Sequence, residues 1–325
     1  MKVSRVQLLL ALMGVLGLLT GLNKAVAVAT RNSIPRRLMA RVPAATDASV
    51  LALGNSLVAV GIVEPAFDQG IGSRQNRGIL NLALGASSPI EQLLLLRYAL
   101  HSGLHPATVI YGFYDFQLTH PVELATGDMI GNHAMLYYVE PEYARGFYHL
   151  SWHDRIEFEI MRHFPLFTDQ QAVWARVEQF RRRISQQGMP EEKTNALGRA
   201  NDFELLEFPS TPAFIRECGH ASRRDLIPPV SEIVRQASEA GSKVVFIEMP
   251  MPPAHVASFY DTPAWQRYRG HLKTLLGNKQ VTYIDASHWM PDESMFLDPL
   301  HMTYEASLRF SQRLGESLRE DSQRR

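Results

Sequence analysis

Five short apolar runs, each followed by a segment suited to a helix, constrain the fold of this chain more than any other feature of its sequence. Short apolar runs bounded by Gly, Pro or polar residues are typical of buried strands. Strands that alternate with helices form a parallel sheet covered on both faces. We therefore predict an α/β fold with a central parallel sheet. The predicted strands are 49–53, 78–83, 108–112, 244–248 and 281–285.

The alternation is interrupted after the third strand. Residues 119–225 hold many aromatic and His residues and one further helix at about 170–186. We interpret this segment as an insertion that forms either a lid or substrate wall, or a small helical subdomain that buries its own aromatic side chains. These side chains are His133, Tyr137, Tyr138, Tyr143, Phe147, Tyr148, His149, Trp152 and His153. The other predicted helices begin near residue 57 and cover 89–103, 230–240, 265–276 and 303–318.

An uncharged run of 17 residues, 6–22, lies near the N-terminus. It is short for a membrane span and slightly longer than a usual signal-peptide core, and small-x-small cleavage patterns follow at 25–29. Five positive residues follow the run, more than precede it, which favours a cytoplasmic location for the rest of the chain. A large domain can be exported despite this, and we expect a membrane-anchored or exported protein on the extracytoplasmic (periplasmic) face.

These features predict three parts. Residues 1–24 are a signal anchor or signal peptide, 25–45 form a polar, Pro-containing linker, and 46–325 form the α/β domain with its insertion at about 119–225.

Composition excludes several classes of function. The formal net charge is zero, so no overall positive field attracts nucleic acid, and we predict no nucleic-acid partner. The single cysteine, Cys218, excludes an intrachain disulfide and a multi-cysteine zinc site. His149 and His153 have a spacing that suits a metal, but no third ligand is evident, and we predict no metal site. Glycine patterns for phosphates or dinucleotides are absent from the strand-to-helix turns, and we predict no cofactor.

Two short segments at opposite ends of the chain fit one chemistry. The first predicted strand ends on Gly54-Asn55-Ser56, which would present the Ser56 hydroxyl at the start of a helix. Asp298 precedes His301 by three residues, just before the last predicted helix. A serine becomes a good nucleophile when a His takes its proton and an acid orients that His. Backbone N–H groups at the helix start would stabilise an oxyanion.

Each segment has an alternative interpretation. Asn55 or Ser56 would serve equally well as a helix cap, and Asp298 and His301 would be ordinary in a surface loop. Asp285 and His288 have the same spacing directly after the fifth predicted strand and compete for the acid and base roles. We prefer Asp298 and His301 because they directly precede the final helix.

The order of these segments resembles the SGNH/GDSL hydrolase superfamily over residues 46–118 and 226–320. Gly54-Asn55-Ser56 is similar to the family's Gly-Asp-Ser, with Asn in place of Asp. Residues 81–88 resemble the second block, whose glycine matches Gly85, and 111–115 resemble the third block, Gly-x-Asn-Asp, with Tyr114 in place of Asn. Asp298 and His301 match the final block.

The resemblance implies a three-layer α/β/α sandwich and acyl transfer through a serine ester. It implies Ser56, His301 and Asp298 as the triad, with Ser56, Gly85 and Tyr114 around the oxyanion. Loose versions of the blocks occur in membrane-attached branches that act on envelope polysaccharides.

We therefore expect an O-acetyltransferase or O-acetylesterase acting on cell-envelope glycan. A glycan or acyl ester would be the substrate, and a membrane acyltransferase would be a partner of the transferase. The alternative, favoured by Tyr114, is a non-catalytic SGNH-like module that binds glycan or such a partner.

Overall fold

The computed structural model describes residues 4–72, 78–120, 134–137, 139–147, 151–161, 163–169, 172–174, 177, 181, 210–277 and 281–323. The chain forms two compact units. One consists of Met1–Arg37 and Leu124–Pro190, and the other of Leu38–Glu123 and Glu191–Arg325. We refer to them as the anchor unit and the sheet unit.

The sheet unit contains a five-stranded, fully parallel sheet in the order β2-β1-β3-β4-β5. All four residues of β1 are buried, as are five of the six in β3 and in β4, because helices cover both faces of the sheet. The predicted α/β architecture is confirmed, and each predicted strand lies within two residues of its observed position. The strands are β1 Val50–Leu53, β2 Ile79–Asn81, β3 Thr108–Phe113, β4 Lys243–Glu248 and β5 Thr282–Asp285.

The helices of the sheet unit follow the strands in the predicted order. Within the described residues, the helix at 89–101 packs against that at 228–239, the helix at 211–221 against that at 263–277, and the helix at 304–323 against those at 56–61 and 64–71. A 3₁₀ turn covers Val42–Ala44, another Glu293–Met295, and a π-helical turn Val256–Tyr260. The helices are α3 Ser56–Gly61, α4 Glu64–Ile71, α5 Pro89–His101, α10 Thr211–Ala221, α11 Pro228–Glu239, α12 Pro253–His255, α13 Pro263–Gly277 and α14 Tyr304–Gln323.

The anchor unit is helical in its described part. Its N-terminal helix α1 is, among the described residues, the one helix long and apolar enough to cross a membrane, a test that a signal sequence also passes. The helices are α1 Arg5–Thr30, α6 Ala134–Tyr137, α7 Pro141–Arg145, α8 Trp152–Met161 and α9 Pro165–Thr168, and α2, Ile34–Arg41, continues into the sheet unit.

The division of the chain into three parts stays a prediction. Within the predicted linker at 25–45, α1 continues to Thr30 and α2 follows it. The expected insertion at 119–225 is divided, since residues 124–190 belong to the anchor unit whereas α10 belongs to the sheet unit. Phe214 holds α10 there by packing against Phe116, Phe259 and Trp265. The predicted helix at 170–186 lies almost entirely outside the described residues.

Two glycines let α4 and α14 approach closely. A Cβ on Gly70 would lie 2.1 Å from the Gln312 carbonyl oxygen, and one on Gly315 would lie 2.5 Å from the Phe67 carbonyl oxygen. Both obstacles are backbone atoms, which cannot rotate away as a side chain can. This crossing holds α14, the helix that follows His301, against the segment that continues from Ser56.

Gly70→Ala is therefore expected to destabilise the sheet unit by about 1–3 kcal/mol, the usual cost of overpacking. Gly270 of α13 is the matched control, because a Cβ there would meet nothing within 4 Å. Gly270→Ala should be neutral or stabilise by roughly 0.5–1 kcal/mol through its higher helix propensity. Urea unfolding of both variants measures the difference, and equal stabilities would contradict the close crossing.

Candidate active site

Ser56 is the first residue of α3, directly after β1. Gly54 allows this turn, because its φ is 151° and a Cβ there would lie 2.3 Å from Val58 Cγ2 and 2.9 Å from the Gly112 carbonyl oxygen. The Asn55 side chain caps α3 by accepting a hydrogen bond from the Leu57 N–H at 2.9 Å. Capping therefore falls to Asn55, and the Ser56 hydroxyl is left for another partner.

Asp298 and His301 lie in a tight loop between the last 3₁₀ turn and α14. The loop is closed by an antiparallel bridge between Phe296 and Met302 and by a hydrogen bond of 2.8 Å from the Leu297 N–H to the His301 carbonyl. The Asp298 Oδ1 accepts the backbone N–H groups of Leu300 and His301, each at 2.8 Å. These bonds orient the carboxylate before it contacts the imidazole.

The structure brings Ser56, His301 and Asp298 into one hydrogen-bonded chain. His301 Nε2 lies 2.9 Å from Ser56 Oγ, and His301 Nδ1 lies 2.9 Å from Asp298 Oδ2. The side chains of His301 and Asp298 are buried, whereas Ser56 is partly exposed. Since the carboxylate holds a proton on Nδ1, Nε2 is the acceptor for the Ser56 hydroxyl. This arrangement can move a proton from serine to histidine.

The Asp298 carboxylate is kept ionised by its surroundings. Burial alone would raise the pKa of Asp298, but the hydrogen bonds from the His301 side chain and from the Leu300 and His301 backbone outweigh it, and the pKa lies below its ordinary value. An ionised Asp298 stabilises the imidazolium that forms when His301 takes a proton.

The competing pair, Asp285 and His288, has no such geometry. The Asp285 carboxylate lies 3.0 Å from Arg269 Nη1 and accepts the Ser287 hydroxyl at 2.6 Å. His288 is half exposed and contacts Ser287 Oγ through Nδ1 and Asp261 through Nε2. The histidine that contacts Ser56 is therefore His301.

Gly85 lies beside Ser56, as its proposed role requires. Hydrogen bonds from the Leu82 N–H to the Ala52 carbonyl and from the Leu84 N–H to the Gly54 carbonyl extend the pairing of β2 with β1 up to this turn. A Cβ on Gly85 would lie 3.7 Å from the Ser56 Cβ. Among the described residues, neither the Gly85 N–H nor the Ser56 N–H donates a hydrogen bond to protein, and both are left for a substrate oxygen.

Tyr114 directly follows β3 and is half-buried. Burial, followed by the negative charge of Asp115, raises the pKa of Tyr114 to about 12, so its hydroxyl keeps its proton. Within the described residues this hydroxyl donates to no protein group. Asp115 turns the chain with a φ of 46°, held by Tyr260, whose hydroxyl donates to the Asp115 carboxylate at 2.8 Å and accepts its N–H at 3.0 Å.

A buried ion pair at the end of β4 was not anticipated from the sequence. Glu248 is fully buried and accepts hydrogen bonds from Arg269 at 2.7 and 2.9 Å and from Trp265 at 3.1 Å, as well as from the Tyr283 hydroxyl. Burial raises the pKa of Glu248, and the hydrogen bond and positive charge of Arg269 reduce this rise without cancelling it. The only sequence signal was an acidic residue closing an apolar strand. Arg269 also holds Asp285, which explains why that acid is unavailable to His288.

The aromatic residues of the insertion are only partly described. Four of them lie outside the described residues: His133, Tyr138, Tyr148 and His149. The structure therefore does not test the spacing of His149 and His153. Tyr137 is fully buried, whereas Trp152 and His153 are exposed. His153, Asp154 and Glu157 could place ligand atoms within 4.8 Å of one another, a grouping common on exposed surfaces without a metal.

Comparison with solved structures finds matches at low sequence identity. TesA is 11% identical, with 83% of this chain and 97% of that chain covered and a TM-score of 0.38. A putative acylhydrolase from Bacteroides fragilis is 12% identical, with 84% and 86% covered and a TM-score of 0.37. A GDSL-like lipase from Bacteroides thetaiotaomicron is 10% identical, with 85% and 90% covered and a TM-score of 0.38.

In sequence, a protein-family model matches residues 227–323, which include Asp298 and His301, and no curated protein matches the chain. The five-stranded parallel sheet with its covering helices is the α/β architecture that the sequence predicts.

Proposed function

We propose that this protein is a serine-dependent acyl-transfer enzyme. One observation carries the proposal: His301 Nε2 lies 2.9 Å from Ser56 Oγ, and His301 Nδ1 lies 2.9 Å from a carboxylate oxygen of Asp298. A non-catalytic binding module would have no need of this alignment among residues 245 positions apart in the sequence. The N–H groups of Ser56 and Gly85, which donate to no protein group among the described residues, support the same proposal.

The proposed reaction has two halves. Ser56 Oγ attacks the ester carbonyl carbon while its proton passes to His301 Nε2, and Asp298 stabilises the imidazolium. The tetrahedral intermediate expels the alcohol, which takes the proton back from His301, and an acyl-serine remains. Water or a sugar hydroxyl then gives its proton to His301 and attacks the acyl carbon. The bond from that carbon to Ser56 Oγ breaks, Oγ takes the proton back from His301, and the free acid or the acylated sugar leaves.

The oxyanion requires hydrogen-bond donors. The N–H groups of Ser56 and Gly85 supply two, and Ser56 lies at the N-terminus of α3, where the helix dipole favours negative charge. We propose the Tyr114 hydroxyl as a third donor, because it keeps its proton and has no acceptor among the described residues. It would replace the side-chain amide that the family's Asn provides.

Tyr114→Phe tests this third donor. Loss of one oxyanion donor lowers kcat by about 10²–10³-fold, and KM should change little because the bond strengthens in the transition state. Tyr304→Phe is the matched control, since Tyr304 is exposed on α14. Steady-state kinetics on a chromogenic acetyl ester give both constants, and an unchanged kcat in Tyr114→Phe would make Tyr114 a packing residue only.

We further propose that the acyl group is acetyl and that the acceptor is an envelope glycan. This finer assignment is supported by the resemblance to membrane-attached glycan-modifying branches and by the apolar helix α1. Outside the cytoplasm acetyl coenzyme A is absent, so a transferase there would receive its acetyl group from a membrane acyltransferase partner. An esterase on the same site would need only water.

The choice between transferase and esterase is tested with purified full-length protein and a chromogenic acetyl ester. Release of the chromophore should accelerate when envelope-type oligosaccharide is added, and mass spectrometry should detect acetylated sugar. Ser56→Ala is the control for uncatalysed transfer. Hydrolysis indifferent to oligosaccharide would contradict the transferase and favour the esterase. Absence of any turnover by folded protein would favour the binding module.

A further inference from the structure

The apolar run of α1 ends at residue 22, and its length suits a membrane span. The 17 residues from 6 to 22 would span about 26 Å as a helix, close to the roughly 30 Å hydrocarbon core of a bilayer. All 17 residues are exposed, so no other segment in the described part of the protein covers the run. The next residue after the run is Asn23, whose side chain forms hydrogen bonds to another segment of the chain.

The segment that follows α8 is hydrogen-bonded to α1 at Asn23, directly after the apolar run. The Asn23 Oδ1 accepts the Leu166 N–H at 3.0 Å, at the start of α9, and the Asn23 amide donates to the His163 carbonyl at 3.5 Å. At the other end of α9, the Asp169 carboxylate accepts a hydrogen bond from the hydroxyl of the buried Thr30 and forms an ion pair with Arg36 at 2.8 Å. The residues around α9 are therefore docked along α1 directly beyond its apolar run.

α8 packs against α9 and presents an apolar face to solvent. Trp152, Ile156 and Ile160 recur every fourth residue on one side of α8, and their exposed fractions are 74%, 52% and 53%. Phe164 and Phe167 are also exposed and pack edge to face. A cavity of about 260 Å³ opens on the same side, lined by Ile156, Ile160, Met161 and Phe167 and, at its polar part, by His153 and Glu157. We call the five exposed residues Trp152, Ile156, Ile160, Phe164 and Phe167 the α8–α9 apolar face.

We propose that the α8–α9 apolar face docks into the headgroup region of the bilayer that α1 crosses. The face belongs to the same unit as α1 and is joined to it where the apolar run ends, so insertion of α1 would carry it to the membrane surface. Trp is enriched at membrane interfaces, and Phe is common on the apolar face of helices that lie in the interface, as Trp152, Phe164 and Phe167 would here. Lys24, Arg31 and Arg37 are exposed near the end of α1 and would contact anionic lipid headgroups. This inference concerns membrane contact and stands independently of the acyl-transfer proposal.

The test uses full-length protein reconstituted in vesicles of phosphatidylcholine and phosphatidylglycerol. Ile160→Cys carries an environment-sensitive fluorophore, with Ile156→Cys as a second reporter and Gly270→Cys as the control, since a side chain at Gly270 meets nothing within 4 Å. Cys218 does not compete for the label, because it is buried and burial raises the pKa of its thiol to about 12.

Lipids with a nitroxide near the headgroup should quench the labels at 156 and 160 several-fold more than the label at 270. Aqueous iodide should quench them several-fold less. Iodide quenching equal to that at 270 would overturn the proposal, because the face would then be in water. Protection from both quenchers would also overturn it, and would assign the face to a second copy or another protein.

Discussion

Ser56→Ala is expected to lower kcat for a chromogenic acetyl ester by at least about 10⁴-fold while the protein remains folded. The substitution removes the oxygen that would attack the carbonyl, the Ser56 Oγ that lies 2.9 Å from His301 Nε2. The loss of one hydroxyl at a partly exposed position should cost little stability. Steady-state kinetics and thermal unfolding measured on the same preparation separate the two effects.

Ser287→Ala is the matched control for this variant. Ser287 is the serine beside the competing histidine, with its Oγ 2.9 Å from His288 Nδ1. It is buried and donates to Asp285, so its loss should lower stability but leave kcat within a few-fold of the wild-type value. If Ser56→Ala retained turnover and Ser287→Ala lost it, the nucleophile would be Ser287 and not Ser56.

His301→Ala is expected to be as damaging as Ser56→Ala, and Asp298→Asn to cost about 10³–10⁴-fold in kcat. The Asn variant loses the charge that stabilises the imidazolium and presents an amide that can hold the wrong tautomer of His301. Because the three residues act as a unit, the double variant Ser56→Ala/His301→Ala should be no slower than either single variant. Multiplicative losses would indicate independent roles and contradict a triad.

His288→Ala is the control for the base. His288 is half exposed and its Nε2 contacts Asp261, so its removal should change kcat by less than a few-fold. An inactive His288→Ala beside an active His301→Ala would reverse the assignment of the acid–base pair.

The sheet and the three central side chains were predictable because their signals are local. An apolar run that ends on Gly54 indicates a strand, a sharp turn and a presented serine, and the φ of 151° at Gly54 bears out the turn. The Asp298–His301 spacing places both side chains in one loop. The sequence also left Asp285–His288 open, because only the fold reveals that Arg269 holds Asp285.

Other features were not predictable because they depend on residues far apart in the chain. The close approach at Gly70 depends on the backbone of Gln312, and the burial of Glu248 depends on Arg269 and Tyr283. The position of α10 depends on Phe214 contacting Phe116 and Trp265. None of these partners is indicated by the periodicity of its own segment.

Fluorophosphonate labelling of the purified full-length protein tests the central claim most directly, because such probes react with serines activated by a base and need no knowledge of the natural substrate. Peptide mapping by mass spectrometry should find one adduct, on Ser56, that is lost in His301→Ala but retained in His288→Ala. Folded protein that takes up no probe, or that takes it up on a serine other than Ser56, would contradict the account.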